Sequence, residues 1–125
     1  MNKKILIVDD EQEYIIAIRD FFREFDYAVA VTMFPKHALE IIAGEKPAIV
    51  LFDFKLPDMN GDRFLERAKA LSPDTAYILI TAYKDEVVLD KIRKMGVTDI
   101  VMKPINLAQL LETVQTLLKT QQKPS

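Results

Sequence analysis

The stretch that decides the fold reads Val50-Leu51-Phe52-Asp53-Phe54-Lys55-Leu56-Pro57, an apolar run that is interrupted by one carboxylate. Residues 48–52 are apolar without the alternation of a strand that has one exposed face. This pattern predicts a strand that is covered on both faces in a parallel sheet. Asp53 would then lie at the carboxyl end of the strand, the edge where ligands bind in open α/β sheets. The stretch therefore predicts a functional carboxylate that is held by a rigid strand.

Four further apolar runs resemble this one, and apolar residues at helical spacing follow each of the five runs. The predicted strands are residues 5–8, 28–31, 48–52, 77–80 and 99–102. Five strands that alternate with five helices predict a three-layer α/β domain, in which a parallel sheet carries helices on both faces. We place one domain over residues 1–119. The polar residues 120–125 are predicted to be a disordered tail or the start of a linker.

Residues that stop helices give the predicted helix ends. Gly44 is predicted to end the second helix, and Gly96 is predicted to cap the fourth. Val88 belongs to the predicted core face of the fourth helix. Its neighbours Val87 and Leu89 either add burial, which we favour, or expose an apolar patch to a partner.

The composition argues against several classes of protein. The chain has 125 residues, a net charge of −2 and no cysteine. These values exclude a disulfide framework and thiolate metal sites, and they argue against a nucleic-acid-binding surface. The apolar run at the start ends at Val8 and is too short for a signal peptide, and no window approaches the ~18 apolar residues of a membrane span. We therefore expect a cytoplasmic protein that binds neither nucleic acid nor membrane.

Polar residues follow four of the predicted strands at the point where each strand ends. They are Asp9, Asp10 and Glu11 after the first strand, Asp53 after the third, Thr81 after the fourth and Lys103 after the fifth. If the first and third strands are neighbours, Asp10 and Asp53 approach each other. Two carboxylates ~4 Å apart repel by ~4 kcal/mol at an effective dielectric of ~20. A hard divalent cation with oxygen ligands, Mg²⁺ or Mn²⁺, would neutralise that repulsion.

The same residues predict phosphoryl transfer to a carboxylate. Asp53 is the candidate nucleophile, with the cation on Asp9, Asp10 and Asp53. Lys103 supplies a positive charge for a phosphoryl oxygen, and Thr81 supplies a hydroxyl. Catalysis of this kind depends mostly on positioning and on charge neutralisation.

These motifs are similar to those of a known family, the receiver domain of two-component response regulators. The matching residues are Ile5-Leu6-Ile7-Val8-Asp9-Asp10-Glu11, then Asp53 with Pro57 and Gly61, then Ile80-Thr81-Ala82, then Lys103-Pro104. The resemblance covers residues from about 3 to 119. It implies a flavodoxin-like (βα)5 fold with strand order 2-1-3-4-5, and it implies that Asp53 accepts phosphate from a sensor histidine kinase or a histidine phosphotransfer protein.

The resemblance also implies finer details of the site. The backbone carbonyl of Lys55 would complete the metal site, and the Lys103-Pro104 peptide bond would be cis. Partners or an effector domain would bind the fourth helix, the fifth strand and the fifth helix, and phosphorylation would promote a homodimer. Lys55, Ala82 and Tyr83 are predicted to modulate the site, and our hypothesis is that Lys55 and Tyr83 screen the phosphoryl group and set its lifetime.

One position departs from the family pattern. Receivers commonly carry Tyr or Phe three residues before the lysine, and this chain has Ile100. The family's switch couples Thr81 to rotation of that aromatic ring. A branched aliphatic side chain cannot make the same swing, so that the switch would be weaker or would run through backbone loops.

Three other functions compete with a phosphorylation-controlled switch. A receiver-like interaction module that works without phosphorylation is left open by Ile100. A Mg²⁺-dependent phosphohydrolase of the haloacid-dehalogenase type would need a second Asp where Lys55 stands. A flavodoxin would need a phosphate-binding loop after Val8. The only histidine, His37, is interpreted as a surface or boundary residue and not as a phosphorylation site.

Overall fold

The computed structural model describes residues 2–122 of the chain. Within them the strands are β1 (Lys4–Val8), β2 (Ala28–Thr32), β3 (Ile49–Phe52), β4 (Lys55–Leu56), β5 (Met59–Asn60), β6 (Ala76–Thr81) and β7 (Asp99–Met102). The helices are α1 (Gln12–Arg23), α2 (Pro35–Glu45), α3 (Gly61–Leu71), α4 (Glu86–Lys94) and α5 (Leu107–Gln122). The five predicted strands are confirmed.

The main sheet is parallel and has the order β2-β1-β3-β6-β7. Because β6 and β7 are the fourth and fifth strands of this sheet, the order is the predicted 2-1-3-4-5. The strand β3 lies at the centre between β1 and β6, and all of its residues are buried. The strand that precedes Asp53 is therefore covered on both faces, as its unbroken apolar sequence predicts.

Two apolar layers enclose the sheet, and alternate residues of each strand point into different layers. On one face, Ile5 and Ile7 of β1 pack with residues of α1 and α5. On the other face, Leu6 and Val8 pack with residues of α2, α3 and α4. This is the predicted three-layer arrangement.

The sequence predicts the end of α4 correctly and the end of α2 incorrectly. The helix α4 ends at Lys94, and Gly96 follows with φ = 89°, which confirms the predicted cap. The prediction that Gly44 ends α2 is wrong, because α2 continues through Glu45 and Lys46 takes the left-handed conformation with φ = 47°. Lys46 donates its backbone N–H to the carbonyl of Ile42 and closes the helix without a glycine.

The core face of α4 also differs from the prediction. Leu89 and Ile92 are buried, whereas Val88 is half-buried. Leu89 therefore adds burial, as we favoured, and takes the core position that the sequence assigned to Val88. Val87 is 80% exposed and forms part of the surface of α4.

The helix α5 continues through Gln122, three residues beyond the predicted domain end at residue 119. Gln121 donates a hydrogen bond to the carbonyl of Ala48 over 3.0 Å, which joins the end of this helix to the start of β3. Residues 123–125 of the predicted tail lie outside the described residues. Among residues 2–122, no helix combines the length and the apolar character that a membrane crossing requires.

A short hairpin follows Asp53 where the sequence predicts only a turn. Strands β4 and β5 pair antiparallel, with Lys55 opposite Asn60. Pro57 and Asp58 form the connection, and Asp58 has φ = 65°, a conformation that Asp tolerates better than most residues. The hairpin returns the chain to Gly61, where α3 begins beside the backbone of Asp53.

Candidate functional site

Three carboxylates meet at the carboxyl end of the sheet. Asp9 and Asp10 follow β1, and Asp53 follows β3, which pairs directly with β1. One carboxylate oxygen from each of the three residues lies within 4.8 Å of the others. Asp9 and Asp53 are buried, whereas Asp10 is exposed. The sheet thus brings together the carboxylates that the sequence predicts to approach.

Lys103 places its ammonium group among these carboxylates. Its Nζ lies 2.9 Å from Asp9 Oδ2, 3.0 Å from Asp53 Oδ2 and 2.7 Å from Glu11 Oε1. An ammonium group has three N–H donors, and each has a carboxylate acceptor here. The contact to Glu11 is absent from the sequence prediction, which noted that Glu11 follows β1 but gave it no role. Nothing in the sequence indicates which exposed carboxylate reaches a lysine 92 positions away.

Burial and charge shift the ionisation of this cluster in opposite directions. Burial raises the pKa of Asp9, and the hydrogen bonds from Lys103 and from the Glu11 backbone only partly offset that effect. Burial alone would lower the pKa of Lys103, but its hydrogen bonds to Glu11, Asp9 and Asp53 outweigh burial and raise that pKa. Lys103 is therefore charged at neutral pH. The cluster holds four carboxylates, those of Asp9, Asp10, Glu11 and Asp53, and one ammonium group, and the excess negative charge attracts cations.

Backbone hydrogen bonds from neighbouring strands hold the site residues in place. The N–H of Asp53 donates to the carbonyl of Val8, and the N–H of Lys103 donates to the carbonyl of Thr81. Asp53 Oδ1 accepts a hydrogen bond from the N–H of Phe54 over 2.6 Å. The Lys103-Pro104 peptide bond is cis, in agreement with the expectation from the resemblance.

Thr81 lies at the end of β6 and is 1% exposed. Its hydroxyl oxygen accepts a hydrogen bond from the N–H of Tyr83 over 3.1 Å. The hydroxyl proton is not used in that bond and remains a donor for another oxygen.

The loops after β3 and β6 meet through aromatic side chains. The rings of Phe54 and Tyr83 stack, with centroids 4.9 Å apart and an interplanar angle of 14°. The Nζ of Lys55 lies 5.0 Å from the centroid of the Tyr83 ring, and Lys55 and Ala82 are exposed. The sequence identified Lys55, Ala82 and Tyr83 as neighbours of Asp53 but missed Phe54, which continues the apolar run and gives no separate signal.

Two other residues that the sequence singled out make their contacts with other parts of the fold. Ile100 pairs with Leu79 in the sheet and packs half-buried in the apolar layer of α2, α3 and α4. His37 is exposed, and its Nδ1 lies 3.0 Å from the hydroxyl of Thr32. These positions agree with a surface role for His37.

Comparison with known proteins identifies the family. Residues 5–115 match the family model of the response regulator receiver domain. The chain belongs to this family. It is therefore a phosphoacceptor domain of two-component signal transduction, with the acidic cluster that is typical of a receiver metal site.

Two curated relatives cover most of this chain. Sporulation initiation phosphotransferase F of Bacillus subtilis (strain 168) is 30% identical over 118 residues, which cover 94% of this chain and 95% of that protein. Regulator of RpoS of Escherichia coli (strain K12) is 30% identical over 115 residues, 91% of this chain, but the chain spans only 34% of that protein's length. The first relative is similar over nearly its whole length, and the second over about a third.

Solved receiver structures have the same fold. The CheY-like response regulator receiver domain protein from Methanospirillum hungatei JF-1 superposes with a TM-score of 0.92 and 32% identity, over 97% of both chains. The BeF3-activated DrrB receiver domain superposes with a TM-score of 0.86 and 28% identity, over 95% of this chain and 99% of the other.

Proposed function

We propose that this receiver accepts a phosphoryl group on Asp53 from a sensor histidine kinase or a histidine phosphotransfer protein. The observation that carries the proposal is the position of the Asp53 carboxylate. It lies at the end of the central strand, 3.0 Å from the ammonium of Lys103 and within 4.8 Å of oxygens from Asp9 and Asp10. The similarity to a protein named sporulation initiation phosphotransferase F supports a role in phosphoryl transfer.

The chain's own residues divide the work of the transfer. A carboxylate oxygen of Asp53 forms the new bond to phosphorus while the bond from phosphorus to the donor's imidazole nitrogen breaks. The nitrogen keeps the electron pair and takes up a proton from solvent. Lys103 exchanges a carboxylate oxygen for a phosphoryl oxygen, and the Thr81 hydroxyl donates to another. Both groups stabilise charge on the transferred oxygens.

The acidic cluster fits a hard divalent cation. Asp9, Asp10 and Asp53, with the backbone carbonyl of Lys55, would hold Mg²⁺ or Mn²⁺, which prefer oxygen ligands and retain water. The excess of carboxylates over ammonium groups leaves negative charge that Lys103 alone does not neutralise. When bound, the cation offsets the repulsion between the Asp53 carboxylate and the incoming phosphoryl oxygens.

Phosphorylation would be passed on through Thr81. Its hydroxyl now accepts from the N–H of Tyr83, and a move toward the phosphoryl group would rearrange the loop after β6. Ile100 on β7 would follow with a smaller movement than an aromatic ring makes. The surface of α4, β7 and α5 would then bind an effector domain, a partner or a second phosphorylated copy, because a ligand shifts an equilibrium through its different affinities for the two states.

Phosphorylation by a small donor tests the proposal. Incubation with Mg²⁺ and acetyl phosphate is expected to add one phosphoryl group per chain, detected as an increase in intact mass. The Asp53→Asn variant is expected to gain none. Asp58→Asn changes an exposed aspartate of the hairpin turn and is expected to be labelled like the wild type. No mass increase at any Mg²⁺ concentration would contradict the proposal and would favour an interaction module that works without phosphorylation.

The aromatic contacts beside Asp53 are expected to set the lifetime of the phosphoryl group. Lys55→Ala removes the ammonium from the Tyr83 ring, and Tyr83→Ala removes the ring from Phe54. Either change opens the loops to water, so we expect faster dephosphorylation. The expected acceleration is about threefold or more, which corresponds to the free energy of one cation–π contact. Decay of the phosphorylated mass after removal of the donor measures this rate.

Two matched variants control this measurement. Tyr83→Phe keeps the stacked ring and is expected to retain the wild-type lifetime. Lys84→Ala removes an exposed positive charge from the same loop and is also expected to leave the lifetime unchanged. Equal decay rates in Lys55→Ala, Tyr83→Ala and the wild type would rule out a screening role for this cluster.

A further inference from the structure

Tyr14 joins the first helix to the loop that carries Lys103. It is the third residue of α1 and packs half-buried against the apolar layer of α1 and α5. Its hydroxyl oxygen accepts a hydrogen bond from the backbone N–H of Ile105 over 2.9 Å. Ile105 lies two residues after Lys103, and the bond connects positions 91 apart in the sequence. A single side chain thus links α1 to the loop between β7 and α5.

The same side chain also contacts the Lys103 ammonium directly. The Nζ of Lys103 lies 4.8 Å from the centroid of the Tyr14 ring, within the ~6 Å range of a cation–π interaction. The carboxylates of Asp9, Asp53 and Glu11 accept from the three N–H groups. The ring attracts the positive charge without occupying one of the three N–H groups. The contact between ring and ammonium therefore persists when Lys103 exchanges a carboxylate for another acceptor.

Tyr14 therefore acts on Lys103 at two points. The N–H of Lys103 is bonded to β6 through the carbonyl of Thr81, and the N–H of Ile105 is bonded to α1 through Tyr14. These bonds fix the backbone on both sides of Pro104. The ring then limits where the ammonium at the end of a flexible four-carbon side chain can lie.

We propose that Tyr14 is a positioning residue that holds Lys103 ready to receive a phosphoryl oxygen when Asp53 is phosphorylated. This inference rests on the proposed function of Asp53 and Lys103. The hydroxyl positions the backbone of the loop, and the ring positions the ammonium. Rates of group transfer depend steeply on such placement, because a displacement of about 1 Å can lower the rate by up to about 100-fold.

The test compares Tyr14→Phe, which keeps the ring, with Tyr14→Leu, which removes both contacts. With saturating acetyl phosphate and Mg²⁺, the maximal rate of phosphorylation is expected to fall about threefold in Tyr14→Phe and about tenfold in Tyr14→Leu. The Mg²⁺ dissociation constant is expected to stay within about twofold of the wild type, because the Tyr14 hydroxyl bonds to the Ile105 N–H and, within residues 2–122, forms no hydrogen bond to a carboxylate of the cluster. A merely structural effect would not separate the rate from Mg²⁺ affinity in this way.

Tyr27→Leu provides a matched control at the other edge of the sheet. Tyr27 is buried before β2, and the Nζ of Lys3 lies 4.5 Å from its ring centroid. This variant also loses a tyrosine ring and its cation–π contact, but far from Asp53. At a temperature where unfolding curves show all variants folded, its phosphorylation rate is expected to match the wild type.

A second background shows whether Tyr14 acts through Lys103. In Lys103→Met, adding Tyr14→Leu is expected to slow the residual phosphorylation no further, because residues that act as a unit are not additive. An equal slowing in both backgrounds, or Tyr14→Leu with the wild-type rate, would overturn the inference. If the residual rate of Lys103→Met is below detection, the single variants decide the question. A larger loss of phosphorylation rate in Tyr14→Leu than in Tyr14→Phe then supports the inference, and equal losses overturn it. Absence of labelling in the wild type would instead reject the proposed function itself.

Discussion

Replacing Lys103 with methionine is expected to lower the free energy of unfolding by about 3–5 kcal/mol when divalent cations are absent. The variant leaves the carboxylates of Asp9 and Asp53 buried, with side chains only 5% and 11% exposed, and removes the cation they share. Methionine has a similar length to lysine, so that little packing is lost. The expected effect is therefore electrostatic.

A divalent cation is expected to reverse much of this loss. Mg²⁺ binds the folded cluster and not the unfolded chain, and at 100 times its dissociation constant it would return about 2.7 kcal/mol. Denaturant unfolding of the variant in EDTA and in Mg²⁺ measures both quantities. Lys119→Met replaces an exposed lysine and serves as the control. Its unfolding curves in EDTA and in Mg²⁺ are expected to match those of the wild type.

The pH dependence of the variant gives an independent check. Burial raises the pKa of Asp9 in the wild type, and loss of the ammonium raises it further. A carboxyl group whose folded pKa is raised stabilises the fold below its unfolded pKa, and this contribution is lost as the pH rises through the folded pKa. Above the unfolded carboxyl pKa of about 4, the stability of Lys103→Met is therefore expected to fall relative to the wild type as the pH rises through the raised pKa of Asp9.

A double variant tests the same electrostatic argument from the other side. Adding Asp53→Asn to Lys103→Met removes one of the carboxylates left without a cation, and we expect it to recover part of the lost stability. Unchanged stability of Lys103→Met in EDTA would show that the carboxylates do not depend on this ammonium.

The sequence was sufficient for the sheet because each strand is a short apolar run with clear ends. Residues 48–52 read as a strand covered on both faces, and the structure places them at the centre of the sheet. The order of the strands followed from the family resemblance. The carboxylates were already placed at the strand ends by the sequence, and their approach to one another follows from the order. These features depend on local patterns and on one topology.

The sequence was insufficient where a side chain chooses among distant partners. The contacts of Glu11 with Lys103, of Tyr14 with Ile105 and of Phe54 with Tyr83 join residues that share no local pattern. They depend on where loops place side chains after the sheet has formed. The carboxylates, Thr81 and Lys103 of the candidate site could thus be predicted from the sequence, and the contacts that position them could not.

Glycines illustrate the same limit, because two similar helical glycines are expected to respond to alanine with opposite signs. A Cβ at Gly61 would lie 2.7 Å from the carbonyl oxygen of Asp53 and 2.8 Å from Phe54 Cα. Both are backbone atoms, so that they cannot rotate away. Gly61→Ala must push α3 away from the loop that carries Asp53, and we expect it to cost about 3 kcal/mol of stability.

Gly44→Ala is the matched substitution in α2. A Cβ at Gly44 would meet no atom within 4 Å. Alanine restricts the unfolded chain and favours the helix. The free energy of unfolding of this variant is therefore expected to rise by about 0.5–1 kcal/mol. Denaturant unfolding of the two variants and the wild type measures both changes in the free energy of unfolding, including their signs.

The phosphorylation rate separates the two glycines further. Because a Cβ at Gly61 would meet the backbone of Asp53 itself, the added methyl group would move the acceptor carboxylate relative to Lys103. A displacement near 1 Å is expected to slow transfer by up to about 100-fold. Gly44 lies in a helix away from the carboxylates and is expected to leave the rate unchanged. A stable Gly61→Ala with the wild-type rate would show that α3 adapts to the added methyl group without disturbing Asp53.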